Sequence, residues 1–402
     1  MTIQETPPSR AHLLAFTLAA ILAAVVVLGG LRHLRVTPED VHRVAWEVAT
    51  EAEEGTQSHR FFRIRNQGMA LQRAAFEQPD LLPIYGSSEL ERSVPDRASI
   101  FFKSEPTGFA VFPVGKAGTT CINIQQKLAS VGSAARGRKA VILISPGWFF
   151  AAGIEGRFYE GNFSIQQASA LIFNKRLSAG LKHDTAIQLL RRPSTLAKNP
   201  TLDFAVHRLA AGGRVNRLLY DLALPLGKVQ DEIYRAQDAC EVATLGRRQP
   251  PFIVSYEPER LPWPKLLADS AAGAHRTDKL ERVWPTTEPF TDSGFRQVMS
   301  SAQEWTDFDL LLRTVDELRI DPLLVCIPPD ATYFKEQGIC RKTLHQFLHR
   351  LKEVSRHHNG QLVTFEDHLD DPAFFLDHHD HLSLKGWMYV NQAIDAFFHS
   401  DT

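Results

Sequence analysis

The stretch "AVILISPGWFF", residues 140–150, decides how the chain folds. Val141 to Ile144 are apolar without alternation, and a Ser-Pro-Gly turn follows at once. A strand with one face in water alternates apolar and polar side chains; a strand covered on both faces does not. The run "LLVCI" at 323–327 has the same character. Around these two, further strands are expected at Leu82–Tyr85, Val111–Val114 and Leu362–Phe365, with helical patterns near 119–131, 295–318, 341–357 and 385–399. Strands alternating with helices predict an α/β fold with a parallel sheet and crossover helices. The interval from about 151 to 290 carries helical stretches, "SIQQASALIFNKRLSAGL" and "VQDEIYRAQDACEVATL", punctuated by prolines in "RRQPPF" and "ERLPWPKL". It reads as a mostly helical insertion within the α/β domain.

The chain has 402 residues, 44% hydrophobic and 23% charged, with a net charge of -1, so a sizeable core is expected. There is no global basic excess to attract a nucleic acid. Cys121, Cys240, Cys326 and Cys340 form no CxxC pair and no zinc spacing. Cys326 and Cys340 are a candidate bridge in an oxidising compartment; buried thiols are the other reading.

The N-terminal segment stands apart. From Leu13 to Leu31, "LLAFTLAAILAAVVVLGGL" contains no charged residue. These nineteen residues, as a helix, span roughly 28 Å, close to a bilayer core. A cleaved signal has a shorter apolar region, so residues 13–31 are expected to be an uncleaved anchor behind a tail at 1–12, with one soluble body over 36–402. Arg32 and Arg35 just after the span, counted alone, place that body in the cytoplasm, although long domains translocate regardless of such charges.

Ligands of open α/β sheets bind beyond the carboxyl ends of the strands. The segments there are "GSSE" (86–89), "GKAGTT" (115–120), "SPGWFF" (145–150), "PPDATY" (328–333) and the His- and Asp-rich run after the last strand. A serine nucleophile needs a base, a group that orients the base, and donors for the oxyanion. Gly86 permits a tight turn before the serines, His381 is a candidate base, and Asp377 stands four residues before it, with Asp380 as an alternative acid. Gly118 lacks a Cβ and can bring a backbone N–H close. Each piece also has a plain reading. "GSSE" alone is an N-cap turn with the Glu supporting the first helical turn, and "HHDH" (378–381) is a solvated loop or a metal cluster. Ser383 is the N-cap of the last helix, Trp148, Phe149 and Phe150 are core, and Gly115 and Gly118 are turns.

Taken together, "YGSSEL" (85–90), "SPGWF" (145–149), "GNFS" (161–164), "LPWPKLL" (261–267), "HLSLKGW" (381–387) and the N-terminal span resemble the DltD family of membrane-anchored D-alanyl transfer proteins, within the SGNH-hydrolase-like superfamily. The resemblance implies a three-layer, flavodoxin-like α/β fold. It also implies a single-pass protein of the cytoplasmic membrane, its globular domain on the extracytoplasmic face, periplasmic or extracellular, which overrides the charge count. By the same resemblance Ser88 is the nucleophile, Ser87 replaces the SGNH Asp, His381 is the base, and Trp148 belongs to a substrate-positioning block. Two positions depart from the family. His378 stands where relatives keep the Asp three residues before the base, which shifts that role to Asp377 or Asp380. Gly147 replaces a Gln, and no Asn oxyanion donor is evident, so the backbone N–H groups of Ser88 and Gly118 are the candidates.

The implied function is D-alanyl transfer or thioesterase-type chemistry on a cell-envelope polymer such as lipoteichoic acid. The implied partners are a membrane-bound O-acyltransferase, a D-alanyl carrier protein and the polymer acceptor; no cofactor or metal is called for. The alternatives are an SGNH-type O-acetyltransferase or esterase acting on an exopolysaccharide, and a non-catalytic scaffold for the acyltransferase and carrier.

Overall fold

The computed structural model describes residues 68–92, 94–105, 107–153, 156–246, 260–273, 291–377 and 381–400, together with Leu18 and Leu22, both helical and exposed. The rest of the expected anchor at 13–31 lies outside the described residues. Among the described residues no helix is long and apolar enough to cross a membrane.

Five strands form one sheet: β1 (Leu81–Tyr85), β2 (Ala110–Val114), β3 (Lys139–Ile144), β4 (Asp321–Cys326) and β5 (Gln361–Val363). Their order is β2-β1-β3-β4-β5 and every pairing is parallel. This is the flavodoxin-like order, in which the strand sequence reverses between β1 and β3 and leaves a crevice at that switch point. All residues of β1 and β2 are buried, as are all but the first of β3 and of β4. Pro83 sits inside β1, yet the β1–β3 ladder begins only at Ile84, so its missing N–H leaves that ladder intact.

The side chains of each strand divide between two cores. Leu81, Tyr85, Ala140, Ile142 and Ile144 point into the larger one, while Leu82, Ile84, Val141 and Leu143 point into the other. The larger core is covered by α1 (Met69–Glu77), α3 (Cys121–Val131) and α12 (Glu304–Leu318); the smaller is covered by α2 (Ala98–Ser104) and α15 (Leu384–His399). The continuous apolar runs of β3 and β4 are thus explained by cover on both faces.

Between β3 and β4 the described residues are helical: α4 (Gly156–Asn162), α5 (Ile165–Ile172), α6 (Ala179–Leu190), α7 (Pro193–Leu196), α8 (Pro200–Ala211), α9 (Gly213–Gly246), α10 (Trp263–Gly273), α11 (Asp292–Ser301) and then α12. The helix expected over 295–318 is two helices. Ala302 leaves helical geometry, and the Trp305 indole N–H turns back to donate to the Met299 carbonyl at the end of α11. The "SIQQASALIFNKRLSAGL" stretch likewise breaks after Ile172. After β4 come α13 (Ala331–Glu336) and α14 (Arg341–Arg356). None of the four cysteines is in a disulfide; Cys121 and Cys326 are buried and Cys340 is exposed.

Candidate active site

β1 ends at Tyr85 and runs into a tight loop locked to the loop after β2. The Gly86 N–H donates to the Val114 carbonyl at 3.2 Å, and the Ala117 N–H donates to Glu91 Oε2 at 2.7 Å. A Cβ on Gly115, at φ +143°, would stand 1.9 Å from the Gly86 carbonyl oxygen, so only glycine allows the two loops to cross. Ser88 opens a short 3-10 turn, Ser88–Leu90. Arg97, buried, donates to the carbonyls of Leu90 and Arg92 and fixes the far end of that turn.

The side chain of Glu89 is turned inward. Its Oε1 accepts the Ser87 N–H at 2.6 Å and its Oε2 accepts the Ser145 hydroxyl at 3.2 Å, which ties the β1 loop to the β3 loop across the switch point. Burial pushes its carboxyl above the usual range, and the Ser87 and Glu89 N–H groups, His381 and Ser145 partly pull it back. The expected serine cap does not form: Ser87, at the N-cap, makes no side-chain capping bond, and Glu89 takes its N–H instead.

His381 arrives from the other end of the chain. The Leu376 N–H donates to the His381 carbonyl, Phe375 bridges Leu382, and the Ser383 N–H donates to the Phe374 carbonyl. The segment therefore doubles back on itself and brings Asp377 against the imidazole. Ser383 caps α15 through the Gly386 N–H, as its position in the sequence suggests. A Cβ on Gly386 would meet the Phe374 carbonyl at 2.4 Å, and Trp387 is fully buried behind it. Most of "HLSLKGW" thus serves to seat one histidine.

Ser88 Oγ lies 2.8 Å from His381 Nε2, and His381 Nδ1 lies 2.8 and 2.9 Å from the two oxygens of Asp377. Arg92 Nε is 3.5 Å from the same Nε2, and its Nη2 is 3.8 Å from Asp377 Oδ2. Arginine only donates, and the serine hydroxyl can donate as well, so Nε2 is the acceptor and the ring proton belongs on Nδ1, toward Asp377. That is the tautomer a general base needs. The structure brings together Ser88, His381 and Asp377; Asp380, with His378, lies outside the described residues.

Gly118 sits in the β2 loop at φ +84°, its Cα facing Phe158 and Asn162. Among the described residues neither its N–H nor that of Ser88 donates a hydrogen bond. Trp148 is half-buried, edge-on to Phe158, while Phe149 and Phe150 are core. Trp148 lines a small cavity together with Ser87, Thr119, Thr120, Ser145 and Glu304, beside the switch point. Sequence reasoning missed Arg92 and the tethering role of Glu89. The signal for Arg92 was its spacing, four residues after Ser88, and its N–H indeed donates to the Ser88 carbonyl.

The family model described as "DltD protein" matches residues 60–399. The chain belongs to the DltD family. Similar DltD relatives include the Protein DltD of Bacillus subtilis (strain 168), 25% identical over 342 residues, covering 83% of this chain and 86% of the relative. Protein DltD of Staphylococcus aureus (strain NCTC 8325 / PS 47) is 22% identical over 346 residues, covering 82% and 83%. Protein DltD of Lacticaseibacillus rhamnosus is 22% identical over 400 residues, covering 94% and 89%. Ser88, Asp377 and His381 all fall within the span that the DltD model matches.

Proposed function

We propose that this DltD-family chain is a serine-dependent acyltransferase that passes D-alanine to a hydroxyl of a cell-envelope polymer such as lipoteichoic acid. The observation that carries the reading is the relay Ser88 Oγ to His381 Nε2 at 2.8 Å, with Nδ1 held by both oxygens of Asp377. A nucleophile and base within 2.6–3.2 Å, the base oriented by a third group, is the signature of covalent catalysis.

In the first half-reaction His381 Nε2 takes the Ser88 hydroxyl proton while Oγ bonds to the carbonyl carbon of a D-alanyl thioester. The tetrahedral oxyanion is met by the N–H groups of Ser88 and Gly118. The C–S bond breaks, the leaving thiolate takes the proton from His381, and D-alanine remains as an ester on Ser88. In the second half, an acceptor hydroxyl gives its proton to His381 and attacks that ester; Ser88 Oγ leaves and recovers the proton. Asp377 stabilises the imidazolium in both halves. Water in place of the polymer hydroxyl gives the thioesterase outcome.

The proposal includes an SGNH-hydrolase-like body at 36–402, with an insertion at about 151–290, anchored by residues 13–31 on the extracytoplasmic side of the cytoplasmic membrane. Its partners are a membrane-bound O-acyltransferase and a D-alanyl carrier protein. The test is complementation of a deletion strain, with esters on the envelope polymer measured by mass spectrometry. Ser88→Ala should leave D-alanyl esters at the deletion level. Loss of acetyl esters instead would move the chemistry to O-acetyl transfer, and full restoration by Ser88→Ala would leave a scaffold role.

A further inference from the structure

Helix α9 runs 34 residues, with Tyr220 and Asp238 buried against the body and Val215, Leu222 and Val229 exposed. The buried side is fixed by several contacts. The Tyr220 hydroxyl donates to the Ile172 carbonyl at 2.6 Å, and Gly227 lies on the Phe173 ring, where any Cβ would fall 2.3 Å from the ring. Asp238, buried, accepts the Ala70 N–H at the start of α1. The helix therefore cannot roll about its axis.

The outward face is apolar. Val215, Leu218, Leu222, Leu226, Val229 and Ile233 are 72, 60, 69, 61, 58 and 41% exposed. Their spacing of three or four residues makes one row, about 27 Å long at 1.5 Å per residue, with Pro225 inside the helix between Leu222 and Leu226. The outer face of a helix in water is ordinarily polar. At one end the row is extended by Phe204 of α8, 42% exposed, whose ring carries the Arg208 guanidinium, and Arg208 in turn donates to Asn216 of α9. Arg214, Arg217 and Lys228 flank the row with long cationic stems, and Arg217 pairs with Asp221 at 3.6 Å. Such side chains can lay their methylenes along apolar surface while the charged head reaches lipid phosphates.

Two further observations choose the occupant. The sequence carries an uncharged run from Leu13 to Leu31 of bilayer-spanning length, and 36 residues separate it from Gly68. The chain then enters the body at α1, whose first turn is capped by Asp238 of α9 itself. The first described residues after that run thus meet the helix with the apolar outer face. We propose that this outer face of α9 lies in the interfacial layer of the same bilayer, as an in-plane amphipathic helix. Tether and face would together hold the body in one orientation on the membrane.

The test uses the full chain reconstituted in nanodiscs of phosphatidylglycerol and phosphatidylethanolamine. Cys240 and Cys340 are changed to Ser, and a single NBD reporter is placed at Leu222→Cys, Val229→Cys or, as a control on exposed α14, Lys342→Cys. Quenching by nitroxide-bearing lipids is expected to be several-fold stronger at 222 and 229 than at 342. Adding Leu218→Glu and Leu226→Glu should reduce it to the control level. Equal quenching at all three sites would overturn the proposal, including the case in which another protein covers the row. Retention of the chain in the disc through alkaline carbonate reports the 13–31 run separately, so failure of the anchor and failure of the α9 face are distinguishable.

Discussion

Glu89 is the residue through which the geometry of Ser88 can be tested without touching Ser88. Replacing it by Ala removes the acceptor for the Ser87 N–H, which lies in a residue only 2% exposed, and the acceptor for the Ser145 hydroxyl. A buried donor left without a partner costs about 1–3 kcal/mol. The Ser87 N–H should bear that cost in full, and Ser145, partly exposed, can turn to water. Glu89→Ala is therefore expected to lose about 1–3 kcal/mol of stability. Glu89→Gln keeps one acceptor oxygen for the Ser87 N–H, and the Ser145 hydroxyl can reverse to accept from the new amide, so it should lose less than about 1 kcal/mol. It also removes a carboxylate that interacts electrostatically with His381, so its transfer rate should fall more than its stability. Urea unfolding of the full chain in detergent gives the first quantity and steady-state transfer the second. Equal and small losses for both variants, under about 0.5 kcal/mol, would refute the idea that this carboxylate holds the loop.

Other outcomes follow from the same geometry. Asp377→Asn should lower the transfer rate by about 10²–10⁴-fold with little change in KM, because the amide can present a donor to Nδ1 and spoil the tautomer; initial-rate kinetics check it. Gly115→Ala should cost at least about 3 kcal/mol, since its Cβ meets a backbone oxygen at 1.9 Å in a conformation that disfavours side chains; soluble yield and urea unfolding report it. Burial, then the neighbouring Glu304 charge, pushes the Asp307 carboxyl up from 3.8 to about 8. Across that window the folded state holds a proton that the unfolded state has released, so stability should fall as pH rises. Asp307→Asn should flatten that dependence and be the more stable chain at pH 8, by on the order of 1–3 kcal/mol, as read from urea unfolding at pH 5 and pH 8.

The sheet was legible because its central strands are covered on both faces, and "VILIS" and "LLVCI" record that cover in their composition. The break at Ala302 was not, because neither Gly nor Pro marks it; it depends on a Trp305 indole that reaches Met299 only in three dimensions. Around Ser88, the i, i+4 spacing of Asp377 and His381 was visible in the sequence, and a doubled-back segment realises it. The inward turn of Glu89 was hidden, because a Glu after a serine pair reads as a helix cap. Only the meeting of the β1 and β3 loops gives it Ser145 as a partner. For Arg92 the spacing from Ser88 was visible, but its approach to His381, 289 residues away along the chain, was not.

The proposed reaction passes through a covalent D-alanyl ester on Ser88. It is tested most directly by mixing the chain with a D-alanyl thioester of the carrier protein, quenching in acid, and mapping the adduct by peptide mass spectrometry. One alanyl increment is expected on the peptide that contains Ser88, none in Ser88→Ala, and a far slower increment in His381→Ala. Transfer to the acceptor at the parent rate by Ser88→Ala, with no alanyl group on the protein, would contradict it.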